Sequence, residues 1–476
     1  MAQTRDVHTL GGNADSVEFC PIEGFENFLA AATYNLVEGD PPQRLGQLYL
    51  YDVDTSADGV QTDPKMRRVL EQDTAGIFDL KWAPQLLDSA PCLGQASADG
   101  SLSFYSLRAA ESASMEHLSR CEVGEAMCLS LDWRPTTGEH VVVSQSDGQI
   151  ASLSFSPAGV TLSQTWPAHD LEVWVASFDR WDTNLVYSGA DDCAMKGWDL
   201  RTDCGAPAFS NRKEHAMGVC TLASNPSKEH EFVSGSYDER VRVWDNRNLR
   251  RPVCVHVGAQ VGGGVWRLKW HPHAVGLLLG ACMHGGARIF SVPDNGEVAV
   301  TEEYVAHGSL TYGADWCYHP RALTQFQGEP DSESCSEIHN AFDETCQGQV
   351  SETFTASPAE ESLCEERAAG HSGLAGGQPE IIGTGLKAAT EAKTECLESG
   401  EVGGDRSLVS LVKQLHADSG TLGSEALGGV SRKGFSRTKE VSASGKSLRE
   451  GAFPCGLVAT CSFYDRSLHL WRPKPF

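Results

Sequence analysis

His284 stands six residues before Phe290, in a turn between the strand-like runs GACM and ARIF. At the same offset from a closing aromatic, four other segments carry an acid: Asp99 before Tyr105, Asp192 before Trp198, Asp238 before Trp244 and Asp465 before Trp471. Imidazole takes up and returns a proton near neutral pH, so a histidine that replaces a repeated acid is a candidate general base. Two plainer roles compete with that one, a substitute hydrogen-bond donor and an ordinary loop residue. Cys282 and Cys461 carry the more nucleophilic thiol. Both fall on strands with apolar neighbours, which favours buried, unreactive sulfur.

Local signatures of known chemistries are otherwise missing from the sequence. It contains no G-x-S-x-G elbow, no H-E-x-x-H zinc helix and no C-x-x-C pair. Gly445-Lys446-Ser447 looks like the end of a phosphate loop, but Glu440 occupies the place of the first glycine. His271 and His273 beside Trp270 have no further Cys or acid at a ligand spacing, so neither a metal nor a cofactor is expected.

These candidates sit on a repeat. Strand-like segments ending in an aromatic, most with Pro two places later, recur as VEFCP at Phe19, DLKWAP at Trp82, SLDWRP at Trp133, RLKWHP at Trp270 and ADWCYHP at Trp316. Weaker copies are VASFDR at Phe178 and TLASNP at Ser224. The anchors lie 63, 51, 45, 46, 46 and 46 residues apart, close to the period of a propeller blade. Each is followed by a second strand, a tight turn and a third strand closing on an aromatic, as in SGADDCAMKGWD and SGSYDERVRVWD. His169 and His215 each precede a closing Trp-Asp by 29 residues.

The pattern resembles WD40 repeats and implies an all-β, seven-bladed propeller with blades beginning near Ser16, Ala75, Met127, Glu172, Gly218, Val265 and Tyr312. In such repeats the His, Asp and Trp form a buried relay, so His169, Asp192, His215 and Asp238 are expected to be structural. The seventh blade is split. Its first strand ends near residue 320 and its remaining strands lie in 453–476, while Arg5 to Leu10 is the natural outer strand that closes the ring and hides its edges. Between the halves, 321–452 contains four aromatics, all Phe, and eleven acids with no Lys or Arg from Glu329 to Glu366. Such a segment cannot build an ordinary core, and it is expected to be a disordered acidic insertion in which Ser407 to Leu415 is at most a transient helix.

Composition narrows the partners. Lys+Arg 38 against Asp+Glu 64 gives a net charge of −26, which repels phosphate backbones and anionic headgroups. Nucleic acid and membrane are therefore not expected as partners. The 16 cysteines are scattered, and MAQTRDVHTLGGNADSVEFC lacks a basic start followed by an apolar run, so a cytoplasmic monomer with reduced thiols is expected.

The segments GGGVWRLKWHPH, LLLGACMHGG, TYGADW and LVATCSFYDRSLHLW, with LEVWVASF, HAMGVC and the opening NADSVEFCP, depart from generic blades. Together they closely resemble the diphthine methyltransferase family, also called diphthine methylesterases, the WD-repeat proteins of diphthamide biosynthesis. The resemblance implies a carboxylic-ester hydrolase that removes the methyl ester of methylated diphthine on elongation factor 2, with other diphthamide-biosynthesis proteins as further partners. Hydrolysis needs a base, a proton shuttle and oxyanion donors, which on a propeller collect where blade loops meet at a channel mouth. His284, Arg267 and Asp465 are the catalytic candidates. Arg267 competes with a solubilising role in the channel, and Asp465 with the relay. The quaternary ammonium of diphthine calls for aromatic faces and carboxylates, for which Trp174, Trp266, Tyr312 and Tyr464 are the candidates. The rival role is a non-enzymatic one. Trp198-Asp199-Leu200-Arg201 and Trp244-Asp245-Asn246-Arg247 match the W-D-x-R pattern of substrate receptors of cullin-RING ubiquitin ligases, or the chain is an assembly scaffold.

Replacing 321–452 by a short Gly/Ser linker should leave the melting temperature nearly unchanged, as read by thermal unfolding of the two chains side by side.

Overall fold

The computed structural model describes residues 2–54, 63–109, 112–156, 159–255, 261–294, 297–319 and 456–474. The expected insertion and its helix candidate lie outside these residues. The described chain is all strand, arranged as seven antiparallel sheets. Their inner strands are Ala14–Phe19, Ile77–Trp82, Cys128–Trp133, Val173–Phe178, Val219–Ser224, Arg267–Trp270 and Thr311–Trp316. Each inner strand packs against those of the blades on either side, and that of blade seven packs against that of blade one, so the ring is closed.

Closure is made by the ends of the chain. Gln3–Thr9 pairs antiparallel with Ser467–Arg472, and the seventh sheet runs from that strand through Val458–Ser462 to Thr311–Trp316. The first blade departs from the common plan. Its third strand, Gln43–Asp54, and its outer strand, Lys65–Ala75, form a long hairpin, and Asn35–Val37 adds a short extra strand. That extra length explains why the first interval of the repeat is 63 residues.

Alternate residues of each strand fill the layers between neighbouring sheets, and Trp198, Trp244, Trp316 and Trp471 are all but fully buried there. Burying an indole requires a partner for its N–H, which the relays supply. In blade four, Trp198 Nε1 donates to Ser188 Oγ at 2.8 Å, Ser188 donates to His169 Nε2 at 2.7 Å, and His169 Nδ1 donates to Asp192 at 3.1 Å. Blade five keeps Trp244, Ser234 and His215, but Asp238 takes Arg242 as its ion-pair partner at 2.6 Å. The four relay residues expected from sequence are thus structural.

Blade seven carries a relay as well, ending on the Asp465 of the repeat pattern and built on His307. Trp471 Nε1 donates to Thr460 at 3.1 Å, Thr460 bonds His307 Nε2 at 2.8 Å, His307 Nδ1 bonds Ser467 Oγ at 2.8 Å, and Ser467 donates to Asp465 at 3.0 Å. His307 stacks on His469 at 3.9 Å, and His469 is bonded through Tyr304 to Thr4 on the closing strand.

Burial pushes His307 down to about 3, helped by the neighbouring His469, and burial also lowers His469. As pH falls through the ordinary histidine value of 6.5, an unfolded chain gains protons that the folded ring refuses until about pH 3. His307 therefore contributes stability that is complete above pH 6.5 and is lost progressively below it. His307→Gln, which cannot charge, should lose less of its neutral-pH melting temperature at about pH 4.5 than the unaltered chain does. An equal loss in the two proteins would rule out this contribution.

Candidate active site

Six of the seven inner strands begin with the same defect. In blades one to five the second residue of the strand is bulged out of register, and in blade seven the register slips between Thr311 and Ala314. A bulge bends its strand and re-aims the unpaired residue. The residues so placed are Asp15, Phe78, Leu129, Trp174, Cys220 and Tyr312, and Trp266 holds the matching position just before the paired part of blade six. They form one tier around one mouth of the channel. Trp174 and Trp266 belong to blades two apart yet their rings are 5.5 Å from each other, which places them on the axis side of the ring.

The small Cys220 in the blade between them leaves room for Tyr237, which reaches in from the turn of blade five to 6.2 Å from Trp174 and 6.0 Å from Trp266. Trp266 stacks on Tyr312 at 4.9 Å, Tyr312 meets Phe463 at 5.0 Å, and Phe463 meets the half-exposed Tyr464 at 5.0 Å. The four aromatic residues singled out in the sequence thus join one cluster, with Tyr237 and Phe463 as members that the sequence reading did not name.

Two carboxyls accompany the rings. Trp174 Nε1 donates to Asp191 Oδ1 at 3.2 Å. Asp15 is the one acid in the tier and is 2% exposed among apolar and aromatic side chains. Burial pushes it up to about 8, partly offset by the Arg267 guanidinium and reinforced by Asp79. Its Oδ1 and the Nε1 of Trp266 are buried without a hydrogen-bond partner among the described residues.

Arg267 lies deeper. Its Nη2 is 3.1 Å from Asp79 Oδ1, so it ties blade six to blade two, three blades away around the ring. Below this pair Lys81 and Lys269 both bind Glu18, Lys81 at 2.6 Å. Burial of Glu18 favours its neutral form, but the two ammonium groups win and hold its carboxyl below the ordinary range. That end of the channel opens into a cavity of about 520 Å³ walled by Trp82, Trp133, Trp270 and the prolines that follow them. Lys81, Lys269 and Arg267 in its wall are matched by Glu18 and Asp79, which they bind.

The catalytic candidates are not brought together. Asp465 is committed to the fold, its Oδ1 accepting from Ser467 and its Oδ2 from the Gly308 N–H at 2.7 Å. This corrects the expectation that it handles protons in a reaction, because both oxygens are taken inside the blade-seven relay. Arg267 is likewise corrected from a group offered to an ester oxygen to a buried tie across the channel. His284 stays in solvent on the blade-six turn, beside Met283, whose backbone exchanges hydrogen bonds with Thr311. Cys282 and Cys461 are fully buried, and burial pushes the Cys282 thiol up to about 12 and that of Cys461 higher, as expected of unreactive sulfur.

Arg201 and Arg247 of the W-D-x-R segments fold back on their own strand ends, bonding Asp199 at 2.8 Å and Asp245 at 2.6 Å.

The family description "WD40: WD domain, G-beta repeat" matches residues 209–245, which span the outer strand of blade four and the first three strands of blade five. The diphthine methyltransferase of Mus musculus is 32% identical over 96% of this chain and 91% of its own length. That of Homo sapiens is 32% identical over 96% of each. The chain belongs to the diphthine methyltransferase family. A diphthine methyltransferase homolog of Dictyostelium discoideum is 32% identical over 66% of this chain and 92% of its own. Among solved structures, a chain of the "Crystal Structure of Mitotic Checkpoint Complex" superposes with a TM-score of 0.50 at 17% identity, covering 66% of this chain and 85% of that one, a likeness of fold alone.

For a member of the diphthine methyltransferase family, the residue the sequence reading missed is Asp15. Its signal was available. When the inner strands are aligned on their closing aromatics, the position four before reads Asp, Phe, Leu, Trp, Cys, Trp, Tyr, one acid in an apolar column.

Proposed function

We propose that this chain hydrolyses the methyl ester of methylated diphthine on elongation factor 2, a step of diphthamide biosynthesis carried out in the cytoplasm by the monomer. The observation that carries the reading is the aromatic mouth, where Trp174, Trp266, Tyr312, Tyr237 and Tyr464 gather beside Asp15 and Asp191. A quaternary ammonium has no N–H to donate, so it is held by ring faces and by nearby negative charge. The relatives are named for methyl transfer; the present reading assigns cleavage of the ester by water, giving the carboxylate, methanol and a proton. His284, in solvent on the turn next to the aromatic mouth, is the proposed base that activates the water.

Incubation with elongation factor 2 bearing methylated diphthine should remove one methylene unit from the modified peptide, read by mass spectrometry. An unchanged mass with folded protein would exclude the reading. Trp266→Ala and Tyr312→Ala should chiefly raise KM, because they remove ring faces from the bound cation. His284→Ala should lower kcat on the order of a hundredfold with the melting temperature kept; normal turnover would remove His284 from the mechanism and leave the family and the substrate reading standing.

A further inference from the structure

The aromatic mouth contains an acid that neither the relay nor the channel ties explain. The other six members of its tier are Phe78, Leu129, Trp174, Cys220, Trp266 and Tyr312, none of which carries charge at neutral pH. A carboxyl buried in such a tier is costly to ionise, and the cation that acts on it, Arg267, is already paired with Asp79. Its Oδ1 is left without a partner, and so is the Trp266 Nε1 of the same tier. Two unpaired buried polar atoms at one mouth, an acceptor and a donor, are what a site shows when its hydrogen-bonding and charge partners arrive with a ligand.

We infer that Asp15 is the counter-ion of a quaternary ammonium settled on Trp266 and Tyr312. Burial favours its protonated form, so binding of the cation is coupled to release of that proton to solvent. The inference rests on the functional reading above only for the identity of the natural cation. Desolvation is what keeps the empty-site carboxyl protonated, and a fixed positive charge arriving in the same low-dielectric surroundings removes that penalty. The arrangement also confers specificity. A neutral ligand of the same shape meets a neutral acid and gains no ion pair, while an anion meets a site that cannot become positive, since the cation nearest to Asp15, Arg267, is already bound to Asp79.

The groups that face Asp15 are accounted for. Arg267 from blade six is held charged despite its burial, chiefly by its ion pair with Asp79. Tyr312 and Cys461 from blade seven, and Tyr237 from the blade-five turn, are all pushed up by burial and stay neutral near pH 7. Asp79 from blade two is consumed by Arg267. Further titratable groups at the rim are Asp191 and Tyr464, both raised by burial, and the exposed His284.

The test uses the full chain and tetramethylammonium, followed through the fluorescence of the mouth tryptophans. Because the acid must lose a proton for the cation to bind tightly, affinity should rise close to tenfold from pH 6 to pH 7, about one proton released per cation bound. Choline should show the same slope and its neutral carbon isostere 3,3-dimethyl-1-butanol should bind with none, a comparison that needs no variant. Asp15→Asn, checked for a normal melting temperature, should bind tetramethylammonium at least tenfold more weakly at pH 7.5 and lose the slope, while Glu116→Gln, an exposed acid on the outer strand of blade two, should keep it. A slope that persists in Asp15→Asn, a flat profile in the unaltered chain, or no tetramethylammonium binding would each overturn the inference. Cation binding with the expected slope but no cleavage of the elongation factor 2 ester would uphold it and reject the hydrolase reading. Cleavage with unchanged KM in Asp15→Asn would reject it and leave that reading in place.

Discussion

A ring of sheets is stable only if its last blade is completed, because any unpaired strand edge exposes a row of backbone N–H and C=O groups. Here the strand that completes it comes from the other end of the chain. Gln3–Thr9 lies along Ser467–Arg472 over nearly its whole length, and the relay of blade seven ties the same seam with Thr4, Tyr304, His469 and His307. Everything described at the aromatic mouth depends on that seam. Asp15 is on the first blade and Tyr312 on the last, so the two become neighbours in one tier only once the ring is closed.

Closure alone would give an inert scaffold. What turns the channel into a candidate site is a defect repeated in the inner strands, the bulge at their beginning. It exempts one residue per blade from the strict alternation of a strand and delivers it to the mouth. The blades then differ in what they deliver: rings from blades four, six and seven, a thiol small enough to admit Tyr237 from blade five, and an acid from blade one. Deeper in the channel the same strands deliver charge, and the Arg267–Asp79 and Lys81–Glu18–Lys269 contacts link blades one, two and six across the axis. The two ends of the channel are therefore chemically opposite, one aromatic and acidic, the other rich in paired cations.

Two kinds of residue came out differently. The aromatic candidates were recognised because the resemblance demanded a cation site, and the fold gathers them. Asp465 and Arg267 looked like available polar groups in one dimension and are spent in three: Asp465 on Ser467 and Gly308, Arg267 on a blade whose residues lie nearly two hundred positions away. The W-D-x-R arginines show the same effect at short range, since each is claimed by the aspartate two residues before it.

By itself, the sequence determined the blade count, the split last blade, the closing strand and the buried relays of blades four and five, because each is written in a period of about 46 residues or in a fixed offset between a histidine, an acid and a tryptophan. Such signals are local: a strand's alternation and a turn's chemistry need only neighbouring residues. Tertiary structure decided which side chains share a mouth, which polar atoms are left without partners, and which charges are neutralised. Those properties depend on distances between residues on different blades and on how much water each group loses, and no spacing along one chain encodes either. Asp15 is the clearest case, an unremarked acid in NADSVEF until a ring of six uncharged neighbours closes around it and makes its charge expensive.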